Sequence, residues 1–217
     1  MIGILMLDTA FERFPGDVGH PDTWRFPVRF RTVAGASAAQ ATTLTDDALL
    51  APFLAAGREL VREGARGIAT SCGFLVLYQR ALAAALPVPV ATSALLQIPS
   101  LAATMAGRVG VLTFDPASLG PAHLAAAGAP ADTPIAGLLP QSRFRADVLG
   151  GPPSSFAARE AEVLAAARRL REATPDLGAV VLECTNFAPH AGAIRAALGL
   201  PVYDIVTGLT WFEGGLP

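Results

Sequence analysis

The sequence contains no lysine; all sixteen of its basic residues are arginine. That excludes a lysine Schiff base, and with it lysine-anchored pyridoxal phosphate. It also excludes a P-loop, whose lysine reaches the phosphates. Only two cysteines occur in 217 residues, too few for a disulfide-stapled scaffold, so reduced thiols are expected. The three histidines, among them His20 and His123, have no spacing to cysteines or acids that suits a metal. A Gly-x-Gly-x-x-Gly loop after a strand is missing, so a nucleotide cofactor has no support. A formal net charge of -2 offers no footprint for nucleic acid or anionic membrane. No apolar run reaches the about 18–20 residues of a spanning helix. Residues 70–106 come nearest, and Arg80, Pro87, Pro89 and Pro99 interrupt them. Met1 leads directly into a strand-like segment, without a basic region or cleavage site. The expectation is a cytoplasmic protein with no metal, no cofactor, and no nucleic-acid or membrane partner.

What is present is an apolar fraction ample for a core and a regular alternation of elements. Strand-like runs at 2–7, 28–33, 67–70, 88–92, 108–114, 133–138, 177–183 and 202–205 alternate with helical stretches. The latter lie at 46–63, 74–86, 94–106, 116–127, 154–173 and 189–198. Such alternation argues for parallel sheets with crossover helices. Leu5-Met6-Leu7-Asp8 is matched by Val111-Leu112-Thr113-Phe114-Asp115, and the run ending at Cys72 by the run ending at Cys184. This weak duplication predicts an α/β fold of two pseudo-symmetric Rossmann-like domains, with the active site in the cleft between them. The first is expected over 1–93 plus 206–217 and the second over 94–205. Two irregular segments, 11–26 and 139–153, suit a pocket wall or a structural Ω-loop.

Each cysteine closes an apolar run and opens a polar turn: Ile68-Ala69-Thr70-Ser71-Cys72-Gly73-Phe74 and Val181-Leu182-Glu183-Cys184-Thr185-Asn186-Phe187. Free cysteine is commonly a small buried hydrophobe, but the hydroxyls and the amide beside these two argue for chemistry. A thiol at a strand end that feeds a helix sits near backbone N–H groups, which favour a thiolate. Two thiols facing each other suit proton transfer between the two faces of a carbon α to a carboxylate. Hydroxyls and N–H groups would hold the developing enediolate. The candidate donors are Thr9, Thr70, Ser71, Gly73, Thr185 and Asn186. Phe74 and Phe187, with Trp24 and Phe26 from the irregular loop, are candidate pocket walls. Strand alternation points Glu183 away from Cys184, which favours a supporting role. His190 is expected to be a capping or surface residue.

These two motifs, with the opening strand Ile2-Gly3-Ile4-Leu5-Met6-Leu7-Asp8-Thr9, resemble those of the aspartate/glutamate/hydantoin racemase superfamily. The resemblance implies Cys72 and Cys184 as opposed acid/base residues, Asp8 as the acid that orients or deprotonates Cys72, and a homodimer. It implies a cofactor-independent racemase or epimerase acting on a small carboxylate or cyclic amide. The alternatives are a decarboxylase or cis–trans isomerase of the same superfamily, or a non-catalytic ligand-binding protein on that fold. Gly73-Phe74 replaces the Asn-Thr of the amino-acid racemases, and Asn186 replaces their second-motif His or Glu. Free aspartate and glutamate are therefore disfavoured as substrates.

Overall fold

The computed structural model describes residues 1–44 and 47–217. The expected helix start at Asp46 lies outside the described residues. In the first half β1 (Ile2–Leu7), β2 (Val28–Val33), β3 (Gly67–Thr70) and β4 (Val90–Ala91) form one parallel sheet in the order β2-β1-β3-β4. In the second, β5 (Arg108–Thr113), β6 (Ile135–Gly137), β7 (Leu177–Leu182) and β8 (Val202–Tyr203) repeat it as β6-β5-β7-β8. All six residues of β1 are buried, as are five of the six in β7. Strands covered on both faces need near-continuous apolar runs, and the sequence supplies them. The fold is thus α/β with two Rossmann-like sheets of matching order, as expected.

The crossover helices of the first half are α1 (Ala38–Thr42), α2 (Leu50–Arg62) and α3 (Gln79–Ala85), followed by α4 (Ile98–Thr104) before β5. Those of the second are α5 (Pro121–Ala127), α6 (Arg143–Val148), α7 (Phe156–Ala173) and α8 (Ala191–Leu198), and α9 (Ile205–Gly214) closes the chain. α2 buries Phe53, Ala56, Gly57 and Leu60 along one face, the stripe an amphipathic helix needs. α9 starts on Asp204, whose side chain accepts from the Thr207 N–H. Its far end returns to the first sheet, where Phe212 and Leu216 lie close against Gly67.

Two expectations change. The helices predicted from Phe74 and Pro189 are each preceded by a 3₁₀ helix, Gly73–Tyr78 before α3 and Thr185–His190 before α8. The tighter turn gathers backbone N–H groups directly behind each cysteine. The short helices α1 and α6 were not anticipated; Ser37 and Ser142 cap them, and five or six residues carry too little periodicity to read. No described helix is long and apolar enough to cross a membrane.

Candidate active site

In each sheet the order reverses beside the first strand, so crevices open between the ends of β1 and β3 and between those of β5 and β7. Ligands of open α/β sheets bind at such switch points. Here the two crevices share one cavity. Leu7 and Thr9 enter it after β1, Ser71 and Cys72 after β3, Phe114 after β5, and Glu183 and Cys184 after β7. The unanticipated helices complete the wall with Ala38 and Thr42 from α1 and Val148 from α6.

Cys184 is buried and Cys72 partly exposed, and both are free thiols. Burial pushes the Cys72 thiol up to about 12, and the nearby Glu183 carboxylate adds to the rise. The Phe74 and Leu75 N–H groups and the Arg13 charge pull the other way. Cys184 is raised well above the usual thiol range, first by burial and then by Glu183, with smaller contributions from Cys72 and Asp17. Its counterweight is the Asn186 N–H. Each sulfur therefore sits at the mouth of a 3₁₀ helix whose N–H groups favour a thiolate, in surroundings that otherwise disfavour one.

The polar residues around the thiols divide into those that face the cavity and those that build it. Thr70 does not line it: its hydroxyl donates to the Thr92 carbonyl at 2.6 Å and the Cys72 carbonyl at 3.1 Å. Its expected donor role is corrected, because both acceptors are backbone groups of its own half, just past the ends of β3 and β4. Ser71 Oγ accepts from the Leu7 N–H at 2.9 Å. Thr185 Oγ1 donates to the Ser71 carbonyl at 2.7 Å, joining one cysteine loop to the other. Asn186 holds Cys184 through its Oδ1, which accepts from the thiol at 3.7 Å, and donates through Nδ2 to Asp17 at 2.7 Å. Ser71, Thr185, Asn186, Gly73 and Thr9 all line the cavity.

Asp8 is an exposed residue whose carboxylate accepts from the Gly35 N–H at 3.0 Å. It fastens the turn after β2 and does not line the cavity of the thiols, so its assignment as the acid beside Cys72 is corrected. The carboxylate there is Glu183. β7 ends at Leu182, so strand alternation no longer governs the next side chain, and Glu183 turns inward beside Cys184. It is fully buried, and burial pushes it up to about 7. The Thr113 hydroxyl, donating to Oε2 at 2.6 Å, and the Phe114 N–H restrain that rise.

Arg13 and Asp17 carried no signal in the sequence beyond lying in the irregular loop. Arg13 lines the cavity, pairs with Asp17 at 2.7 Å and donates to Thr9 Oγ1 at 3.1 Å. Phe74 lines the cavity with its ring edge-on to His123. Phe187 does not; it packs on Phe144 in the core, so its place as a wall is corrected. Trp24 and Phe26 pack against each other at a tilt, and the loop presents Phe11 to the cavity in their stead. His190 is buried beside Glu160, not at the surface, and burial lowers its pKa. Among the described residues no group of three or more His, Cys, Asp or Glu could hold a metal ion.

Comparisons with known proteins agree with this architecture and change the chemistry. No family model matches the chain. A dimethylsulfoniopropionate lyase from Durusdinium sp. clade D is 30% identical over 99% of this chain and 74% of its own length. Dimethylsulfoniopropionate lyase 5 of Emiliania huxleyi is 32% identical over 95% of this chain and 43% of its own length. Among solved structures, arylmalonate decarboxylase superposes with a TM-score of 0.63 at 17% identity, covering 99% of this chain and 92% of that one. Allantoin racemase from Klebsiella pneumoniae gives 0.61 at 18% identity, covering 100% and 89%. The superfamily resemblance is therefore correct for the fold. The expected racemase or epimerase is not: the sequence relatives are lyases, and of the alternatives the decarboxylase, itself a lyase, lies nearer. Proton removal α to a carboxylate is common to racemases and eliminating lyases, and motifs that encode it do not say what happens next.

Proposed function

The chain belongs to the dimethylsulfoniopropionate lyase family, and on that premise we propose that it cleaves dimethylsulfoniopropionate by β-elimination in the cavity between its two sheets. The observation that carries this reading is the convergence of two thiols, one from each half, on that cavity. The substrate named by the relatives has a carboxylate on one side of its α-carbon and a dimethylsulfonium on the β-carbon. A thiolate of the Cys72–Cys184 pair takes the α-proton. The freed electron pair becomes the Cα=Cβ bond, and the Cβ–S bond breaks with its electrons on sulfur. Acrylate and neutral dimethyl sulfide leave, and the proton passes from the cysteine to solvent. Neither electron count nor proton count calls for a cofactor.

The charge that develops on the substrate carboxylate needs donors already in place. Those at hand are the N–H groups of the two 3₁₀ helices and Arg13, whose guanidinium has five donors and spends two on Asp17 and Thr9. Burial of the thiols fits this use, since a cationic substrate entering beside them favours the thiolate.

Headspace analysis tests the reading. The wild-type protein is expected to release dimethyl sulfide with equimolar acrylate. Cys72→Ser and Cys184→Ser should each lower kcat/KM by about 10²–10⁴-fold, the range of a lost acid/base group. Wild-type turnover in either variant would overturn the two-thiol mechanism, and no dimethyl sulfide from the wild type would overturn the lyase assignment. The same reading includes a homodimer in the cytoplasm. Support for the dimer is the exposed Trp211 on α9, beside an apolar groove with Tyr203 and Phe212. Light scattering on the wild type and Trp211→Glu measures it.

A further inference from the structure

The elimination above leaves one ionisable group of the cavity unused. Glu183 is the only carboxylate among the described residues that line it. Thr113 fixes its Oε2, but its Oε1 is buried with no hydrogen-bond partner. An unpaired polar atom in such a place costs free energy unless something meets it there. The position is built in from the opposite half of the molecule. A Cβ on Gly73 would overlap both Glu183 Oε1 and the Glu183 carbonyl oxygen, so the loop carrying Cys72 is shaped to admit this side chain. The charged and titratable groups around it are Cys72 and Cys184, which both feel its charge, and Arg13, already paired with Asp17.

We infer that Glu183 is the subsite for the cationic end of the ligand, neutral when no cation is bound and ionised when a sulfonium or other onium centre comes to rest against Oε1. The inference rests on the reading of the substrate as a sulfonium carboxylate. A zwitterion then meets one fixed cation, Arg13, and one carboxylate able to ionise. Phe74 and Phe114 line the same cavity, and aromatic rings suit the methyl groups of an onium ion. Burial and the flanking hydrogen bonds leave Glu183 with an affinity for protons that a neighbouring positive charge can overcome near neutral pH. An ionised Glu183 raises both thiols, so its charge opposes a thiolate until the cation is in place. Entry of the cation expels the proton, so affinity rises with pH until Glu183 is ionised in the free protein, and is flat thereafter.

Two carboxylates of equal shape test this without any cleavage. They are 3-(trimethylammonio)propanoate and its uncharged carbon analogue 4,4-dimethylpentanoate. Titration calorimetry just below neutral pH, in two buffers of different ionisation enthalpy, reads affinity and proton release together. The wild type is expected to favour the ammonium compound by about tenfold or more, one opposite charge in contact, and to release most of a proton on binding it. Glu183→Gln should bind the two equally and release none, while Cys72→Ser keeps the release. Thr113→Val, which leaves Glu183 in place but removes a donor that favours its anion, should move the rise in affinity to higher pH. Equal binding of the two compounds by the wild type overturns the inference. So does proton release that survives in Glu183→Gln, and so does an ammonium compound that fails to bind. Dimethyl sulfide formation with no cation preference leaves the lyase reading standing and this subsite refuted. Cation preference with proton release but no dimethyl sulfide does the reverse.

Discussion

At Gly73 and Glu183 the missing side chain of one residue makes room for the carboxylate of another. Gly73→Ala should therefore cost about 1–3 kcal/mol, the range for overfilling a packed site, and denaturant unfolding measures it. Glu183 also couples stability to pH. Its folded pKa lies above the ordinary 4.5, at about 7, with burial as the cause. The native state thus holds a proton that the unfolded chain gives up. The contribution is fully present below about 4.5 and is lost as pH rises through about 7, by roughly 3 kcal/mol in all. Melts of wild type and Glu183→Gln across that window should diverge, the wild type falling and the variant staying level. Cysteine placement was legible in the sequence because both thiols end strands. The acid beside them was not, because the inward turn of Glu183 follows from β7 stopping one residue earlier.

Among the elements, α7 does the most to hold the irregular loop. Ser155 caps it by accepting from the Ala158 N–H. On its second turn the buried Arg159 pairs with Asp147 at 2.8 Å and reaches the Glu12 carbonyl at 2.8 Å. The same guanidinium lies over the rings of Phe14 and Phe144. Asp147→Ala strands a buried charge and should cost about 3–5 kcal/mol. Ser155→Ala should cost about 1 kcal/mol. If the two losses come out equal in chemical denaturation, Arg159 is not the anchor described. Most strands were readable as short apolar runs between polar turns, and β2 as an alternation of Val28 and Phe30 with Arg29 and Arg31. The 3₁₀ helices were not, since six residues fit either helical period. That difference matters, because the tighter turn aims the N–H groups at the sulfurs.

Over the whole molecule polar bonds between distant segments hold the fold together as well as packing does. Thr185 reaches Ser71, Asn186 reaches Asp17, Arg159 reaches Glu12, and Gln97 donates to the Asp204 carbonyl at 2.8 Å. Halves joined this way should unfold together, with fluorescence and circular dichroism transitions coincident. Asn186→Ala cuts one tie and frees the Cys184 thiol from its amide. Its kcat/KM should fall about tenfold, the worth of about 1.4 kcal/mol, while the melting temperature moves by only a few degrees.

The sequence by itself determined the architecture and the location of the thiols. Hydrophobic runs fix parallel strands, and a repeated pattern fixes two like halves with a cysteine at the matching strand end of each. Only the tertiary structure decided which side chains share the cavity with them. Asp8 and Thr70 are spent on backbone groups of their own half, whereas Arg13 and Glu183 are delivered by a loop and a strand end that lie 170 residues apart in the chain. Local patterning carries no record of such a meeting, because it is made by the packing of one sheet's ends against the other's.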